Sequence, residues 1–569
     1  MRMRADILVI GAGGAGARAA IEAATKDPEL KIIILNQGPI GRSGLTAMAN
    51  GGMVWVEHPD DSPEALFEDL LKYGCYLNEQ NLIEALTIEG PQRAHELIEW
   101  GAKMIPFESS SASPSGGAKR HPHPRGHLIP GLGYMQALKN EIARHPNITV
   151  IEDVVTTKLL TSGNRVTGAF VLNIRKGDYF VINAKATILA TGGLGEIYPH
   201  STNAPFGMHG HATGMGYAMA YHAGAELIDM EMVQFTGNQL YPPWLLGNPE
   251  LLCTMCGGKY INALGDEFIQ QPQPRDVIQK SAFKEIREGR GTEKGGVYID
   301  LTKSPLTSEE IEEQLKHSLA EEVAKERWQL IKRMSVNDPD PKNWRIEFTP
   351  GGAHFFMGGV KINEKCETSL EGLFAAGEVS GGVHGANRMG GNAMVEIIVF
   401  GARAGRYASE YAAEAGETAT EDSFKEEYER LCSFFRNEGL APGVIADRVA
   451  SFMSEYVGVA RTEDSLKKAL AELQAVRDDD LPRMRAPSGV TFNPGWVEAI
   501  QVPFILDTAE MIIRSALLRT ESRGAHMRED YPETNPEWIK HTRVLKKSGN
   551  MELNTVPVTI TKLNPERMI

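Results

Sequence analysis

The sequence predicts an α/β protein: a Rossmann-type dinucleotide-binding domain, interrupted by an inserted second domain and followed by a C-terminal helical domain. Three observations predict it. A β-branched run, DILVI at Asp6 to Ile10, leads into GAGGAG at Gly11 to Gly16 and then into alanine-rich helical sequence. Two strand-like apolar runs end abruptly in small residues, ATGG at Ala190 to Gly193 and FAAGE at Phe374 to Glu378. Between them, from Thr236 to about Arg345, the composition shifts toward Pro, Gln and charge, and beyond Gly401 it turns charged and helical.

The first unit carries a G-x-G-x-x-G in the context the motif requires, after a strand and opening a helix. Its glycines permit a tight turn and close backbone approach, and the helix N-terminus faces a pyrophosphate. Gly11, Gly13, Gly14 and Gly16 are therefore cofactor candidates. The next run, KIIIL at Lys31 to Leu35, closes the unit. Asn36 and Gln37 follow, where an acidic residue commonly grips a ribose hydroxyl, so the nucleotide's identity stays open at this level. In the small-residue loop Arg42 to Met53, Ser43, Gly44, Thr46, Gly51 and Gly52 are placed against the ligand.

Residues from Ser62 to Gly101 have apolar positions at helical spacing, in LFEDLLKYG and LIEALTIEG. Ser109 to Arg125 is dense in Ser, Pro, Gly and His and reads as a flexible loop. His121, His123 and His127 have no carboxylate or cysteine at ligand spacing, so no metal site is assigned. Strands are expected at Ile148 to Val155, Val166 to Val171 and in the run Tyr179 to Gly193, which ends in Ala190, Thr191, Gly192 and Gly193. The expected domains are 1–235 with 346–410 for the nucleotide unit, 236–345 for the insertion and 411–530 for the helical unit. A C-terminal tail, 531–569, reads as polar and extended toward its end.

Composition narrows the function. In 569 residues, 59 Lys and Arg face 74 Asp and Glu, a formal charge of -15, which offers phosphate backbones no bulk attraction. Nucleic acid is not an expected partner. No apolar run reaches the roughly 18 residues of a membrane-spanning helix. The basic start, Met-Arg-Met-Arg, leads into the glycine turn instead of a signal core, so a cytoplasmic location is expected. Five cysteines form no disulfide framework, and the Cys253/Cys256 pair lacks the second pair of a zinc or iron-sulfur site.

Taken together, DILVIGAGGAG, RSGLTAMANGG, ATGG, PRD at Pro274 to Asp276, HFFMGG at His354 to Gly359 and FAAGEVSGGVHGANRMGGNAM at Phe374 to Met394 resemble the flavoprotein subunit of the succinate dehydrogenase and fumarate reductase family. That family also holds L-aspartate oxidase and soluble fumarate reductases. SALLRTESRGAHMRED at Ser515 to Asp530 extends the likeness into the helical domain. The resemblance implies FAD, an α+β capping domain formed by the insertion, and a site where the two meet. Glu378 would meet ribityl or ribose hydroxyls, with Ala190, Thr191 and Gly192 close by, while Asn392, Ala393 and Arg388 would lie by the isoalloxazine. His354 and Arg388 would bind a substrate carboxylate and Arg275 would move the proton. An arginine donor is demanding, since its reference pKa exceeds about 12, and a dry pocket would be required. Lys280 is the alternative donor and reads as a solvated helix lysine; His384 is given a supporting role.

Departures from the family matter as much. Leu45 stands where members that bind flavin covalently carry a histidine, so noncovalent FAD is expected. Thr236 in VQFTGN stands where the family reads QFHPT, the family's Thr-Glu is not recognisable near Thr254, and Met215 replaces an aspartate. Thr236 and Thr254 are the candidates for this altered half of the substrate site. The implied function is interconversion of fumarate and succinate, or a closely related enoate pair, by hydride transfer at flavin N5. L-aspartate oxidase and an electron-transfer flavoprotein that works on a non-C4 substrate are the alternatives. The implied partners are a small carboxylic acid, an iron-sulfur subunit, and a membrane-anchoring or thiol- or quinone-linked subunit. Through such partners the chain would sit peripherally at the cytoplasmic membrane.

Overall fold

The computed structural model describes residues 2–49, 52–106, 123, 125–199, 201, 212–239, 251–271, 273–317, 338, 340–416 and 424–564. Gly51 and His121 lie outside them, as does the side chain of Thr254 in the helix Leu251–Cys256.

Strand Arg2–Ile10 lies inside a seven-stranded sheet, parallel to Ile32–Leu35 on one side and to Tyr179–Leu189 on the other. Ile7, Leu8, Val9 and Ile10 are all buried. A strand covered on both faces needs such a continuous apolar run. Ile148–Ile151 extends the sheet beyond Ile32–Leu35, and Arg165–Asn173 and Val154–Ser162 extend it antiparallel on the far side. Leu373–Ala375 also pairs parallel with Tyr179–Leu189, matching Ala375 to Leu189, which itself matches Ile10. The glycine turn, the ATGG segment and the AAGE segment therefore emerge side by side at one sheet edge, where ligands of this architecture bind.

Helix Gly14–Lys26 packs against the long helix Asn392–Glu414. The crossing is close. A Cβ on Gly401 would stand 2.6 Å from the Ala15 carbonyl oxygen, and one on Gly405 would stand 2.2 Å from that of Ala19.

The insertion forms its own antiparallel sheet, ordered Val233–Gln239, Arg345–Phe356, Val297–Asp300, Lys259–Ile261 and Glu267–Ile269. Tyr260, Ile299, Trp344 and Phe348 make a separate core, closed by Ile278 and Ala282 of helix Arg275–Glu285. The first two strands run out of the nucleotide unit, so this sheet begins at Val233 and ends at Phe356, outside the expected 236–345. Helices Phe424–Cys432, Pro442–Tyr456, Glu463–Ala475 and Pro494–Leu518 follow.

The expected tail is corrected by the structure. Lys540–Lys547 and Asn550–Pro557 form a hairpin that pairs with Leu227–Ile228. Ser548 and Gly549 turn it with φ of +50° and +83°, the positive values that a two-residue I′ turn requires. The strand is hard to read because polar residues occupy much of its buried side. His541 and Thr542 are fully buried, with Asp229 and Glu79 bonded to the imidazole and Glu231 accepting from the Thr542 hydroxyl. Arg519, also fully buried, joins this network by donating to Glu231 at 2.6 Å and Glu521 at 3.0 Å. The helical unit, the hairpin and the root of strand Val233–Gln239 are thus held by one buried charge network.

Candidate functional site

The cofactor side is built on the glycine turn. Gly11 has φ +103°, and a Cβ there would stand 2.2 Å from the Ala190 carbonyl oxygen; one on Gly16 would stand 1.9 Å from the Gly11 oxygen. No side chain caps the following helix at Gly13. A helix start with no capping side chain of its own offers amides and a positive dipole end to a phosphate. The Gly14 amide donates to Thr46 Oγ1 at 3.2 Å. Asn36 Oδ1 accepts from the Ala12 amide at 3.1 Å, and its Nδ2 donates to Gly38 O at 2.6 Å and Ser43 Oγ at 2.9 Å. Asn36, Ser43 and Thr46 therefore brace the turn, with Gln37 half-buried beside them. Gly44 leads into the short helix Leu45–Met48, a helical turn in what reads as loop sequence, and Gly52 opens strand Gly52–Val54.

Beside the turn lies a group of buried acceptors. The Glu378 carboxyl accepts from the Phe356 amide at 3.1 Å and lies against Gly193, where a Cβ would come within 2.3 Å of it. Burial pushes Glu378 up to about 7, opposed by the Phe356 amide and the Arg388 charge. Glu396, missed in the sequence, accepts from the Gly377 amide at 3.1 Å and is raised by burial to about 8. Its second oxygen, the Asn392 amide oxygen and the Thr191 hydroxyl are buried without hydrogen-bond partners among the described residues. Buried acceptors in that condition call for donors. A flavin dinucleotide, rich in hydroxyl and N–H groups, fits them as its pyrophosphate fits the turn. Asn392 and Ala393 begin the long helix, just after Gly391.

The substrate side joins the two units. His354 is the extra residue of a β-bulge: Gln234 pairs with Phe355 and Phe235 with Ala353, which leaves His354 between them. Bulges re-aim side chains at sites of this kind. Arg275 is the first residue of helix Arg275–Glu285, after Pro274, and Arg388 lies in the loop before the long helix. Arg275 is 3% exposed and Arg388 4%. Burial and both arginine charges hold His354 well below its ordinary range, so its imidazole is neutral and can donate a hydrogen bond. Burial and the Arg275 charge lower Arg388 to about 9. The Arg388 guanidinium stands 4.5 Å from the Phe355 ring centroid, and His384, also kept neutral by burial, meets that ring edge-on at 5.2 Å.

The structure thus brings Arg275, His354 and Arg388 together. Thr236, fully buried, pairs with Gly352 in the same strand pair, and its hydroxyl has no partner among the described residues. Lys280 donates to Asp276 at 3.4 Å and to Gly524 O at 2.8 Å. Burial raises the Cys256 thiol to about 12, the opposite of a reactive thiolate. His123 stacks on His58 at 4.1 Å and 12°. With Asp60 they bring ligand atoms within 4.8 Å of one another, but parallel rings do not aim their lone pairs at one ion.

Two family models match the chain: FAD binding domain over residues 6–394 and fumarate reductase flavoprotein C-term over 446–568. A fumarate reductase (CoM/CoB) chain of Methanothermobacter marburgensis is 39% identical, over 94% of this chain and 95% of that protein. The fumarate reductase flavoprotein subunit of Escherichia coli is 31% identical, over 100% of this chain and 96% of the other. A solved E. coli quinol fumarate reductase chain superposes with a TM-score of 0.87 at 30% identity, covering 99% of this chain and 98% of that one. Adenylylsulfate reductase from Archaeoglobus fulgidus, 20% identical with a TM-score of 0.78 and covering 99% and 97%, shares the fold. Among the described residues, no helix is long and apolar enough to cross a membrane.

Proposed function

Because the chain belongs to the family of fumarate reductase and succinate dehydrogenase flavoproteins, FAD-dependent oxidoreductases, we propose that it reduces the double bond of an α,β-unsaturated carboxylate, fumarate to succinate being the first pair to test. Bound FAD supplies the hydride from N5. The proposal rests on the meeting of neutral, half-buried His354 with the buried, cationic Arg275 and Arg388.

Arg388 offers the fork geometry that pairs with a carboxylate, and His354 donates to a carboxylate oxygen. Their pull polarises the double bond and stabilises the enolate-like charge that develops as one carbon receives hydride. Arg275 gives a proton to the neighbouring carbon and is reprotonated afterwards, so two carbon–hydrogen bonds form and the double bond becomes single. Excluding water strengthens each of these interactions.

Thr236 favours a second form of this reading. A lone buried hydroxyl replaces the family's histidine, so the far end of the substrate is held by a weaker, neutral contact, which suits a related enoate. Leu45 supports noncovalent flavin. The insertion, with strands Val233–Gln239 and Arg345–Phe356 in its sheet, acts as the cap, and the chain beyond Phe356 completes the FAD domain. Five free cysteines in no cluster-binding run support electron supply from an iron-sulfur subunit, itself linked at the cytoplasmic membrane to a membrane anchor or to a thiol- or quinone-linked subunit. The test is turnover by purified holoenzyme of fumarate, monocarboxylic enoates and L-aspartate, with a reduced or oxidised dye as electron partner. Fumarate or a close enoate should be reduced; oxidation of L-aspartate alone would overturn the proposal.

A further inference from the structure

Between the two arginines lies a side chain that the reaction described above does not use. Gln234, 1% exposed, accepts through Oε1 from Arg388 Nη2 at 2.9 Å and Arg275 Nη1 at 3.3 Å. Its Nε2 donates to the Arg388 carbonyl oxygen at 2.8 Å and to Asn387 Oδ1 at 2.9 Å. Both amide hydrogens and both lone-pair directions are used. Chemistry fixes the amide's orientation: guanidinium groups only donate and a carbonyl only accepts, so a flipped amide would lose three of the four bonds outright.

Two buried guanidiniums side by side repel each other, and the usual remedy is a carboxylate between them. Here the nearby carboxylate is kept away from that role. Asp276 accepts from Asn387 Nδ2 at 2.9 Å and faces Lys280 at 3.4 Å. A neutral amide takes the bridging position instead. Resting on the reading of this site as a carboxylate site, we propose that Gln234 is a positioning and specificity residue: it holds Arg275 and Arg388 in register through a neutral acceptor, and so leaves their positive charge for an anionic substrate. A glutamate there would hold the same two arginines but cancel one of their charges. An apolar residue would leave the charge and release the geometry.

The experiment uses flavin-loaded holoenzyme, with malonate as a non-reacting dicarboxylate whose binding is followed by the flavin spectrum. Gln234→Glu should weaken malonate about 100-fold, the scale of a buried charge pair altered on one side. Gln234→Met should lower kcat for the enzyme's enoate substrate by about 10-fold or more while changing malonate affinity by much less. A purely structural role would not separate affinity from turnover in that way. If wild type binds malonate and Gln234→Glu binds it within threefold, the proposal falls while the carboxylate reading stands. If wild type binds neither malonate nor a saturated monocarboxylate such as propionate, the carboxylate reading falls and takes the proposal with it. Should Gln234→Glu lose its flavin, Gln234→Met decides: unchanged kcat overturns the proposal.

Discussion

Replacing Arg275 with glutamine removes one charge and the proton that the proposed reaction needs, and leaves a neutral N–H donor on a shorter side chain. Arg275 is 3% exposed and its Nη1 lies 3.3 Å from Gln234 Oε1, so the substitution acts inside the site. Loss of a positioned proton donor costs roughly 10² to 10⁴ in rate. Loss of one charge-assisted contact to the developing negative charge adds about 1.5 to 3 kcal/mol, or about 10- to 150-fold. Together kcat/KM falls by roughly 10³ to 10⁶. The Arg275 charge also lowers His354 and Arg388, so both groups move up in the variant and the pH profile shifts to higher pH. The assay is anaerobic fumarate-dependent oxidation of a reduced dye, normalised to bound flavin and repeated across pH. A variant with full flavin and kcat within tenfold of wild type would refute the proton-transfer role.

Gly16→Val would place a side chain where a Cβ already stands 1.9 Å from the Gly11 oxygen, so the variant should lose FAD on gel filtration; a full flavin-to-protein ratio contradicts this. Glu378, Glu396 and His541 are raised to about 7, 8 and 9, from ordinary values of 4.5, 4.5 and 6.5. Each favours its protonated form in the fold, so the stability it adds is complete below the ordinary value and is lost as pH rises through the raised one. Above about pH 6.5, where the histidines held neutral by burial no longer add to the slope, the apoprotein's thermal midpoint should therefore fall up to about pH 9, and Glu396→Gln should flatten part of that fall; a rising midpoint would contradict the sign. With Leu45 in place of a histidine, acid precipitation should leave all flavin in the supernatant, and yellow pellets would show a covalent bond at another residue.

The nucleotide half was the legible half. Its signals are local: Asp6 to Gly16 is a strand, a turn and a helix start in contiguous residues, and short-range sterics dictate its shape. The parallel neighbours of Tyr179–Leu189 could be anticipated only as strand ends, because pairing Leu373–Ala375 with it spans the whole insertion. In the site, Arg275, His354 and Arg388 were readable through family motifs. Gln234 was not, although it shares its strand with Thr236 and alternation places both on one face. A polar residue in an apolar strand is the trace it leaves, and its three partner residues come from distant positions. Glu396 hid as one charge in a helix of 23 residues, and the hairpin hid because two of the three buried residues of its first strand are the polar His541 and Thr542, whose partners lie elsewhere in the chain.

In the proposed reaction this flavoprotein passes hydride and proton to a carboxylate-activated double bond. The direct measurement is a single turnover: holoenzyme reduced stoichiometrically without oxygen, mixed with fumarate, the flavin followed by absorbance and the product by mass. The flavin should reoxidise rapidly with one succinate formed per flavin, and Arg275→Gln should lose that step. Flavin that stays reduced in the presence of fumarate and of every related enoate would contradict it.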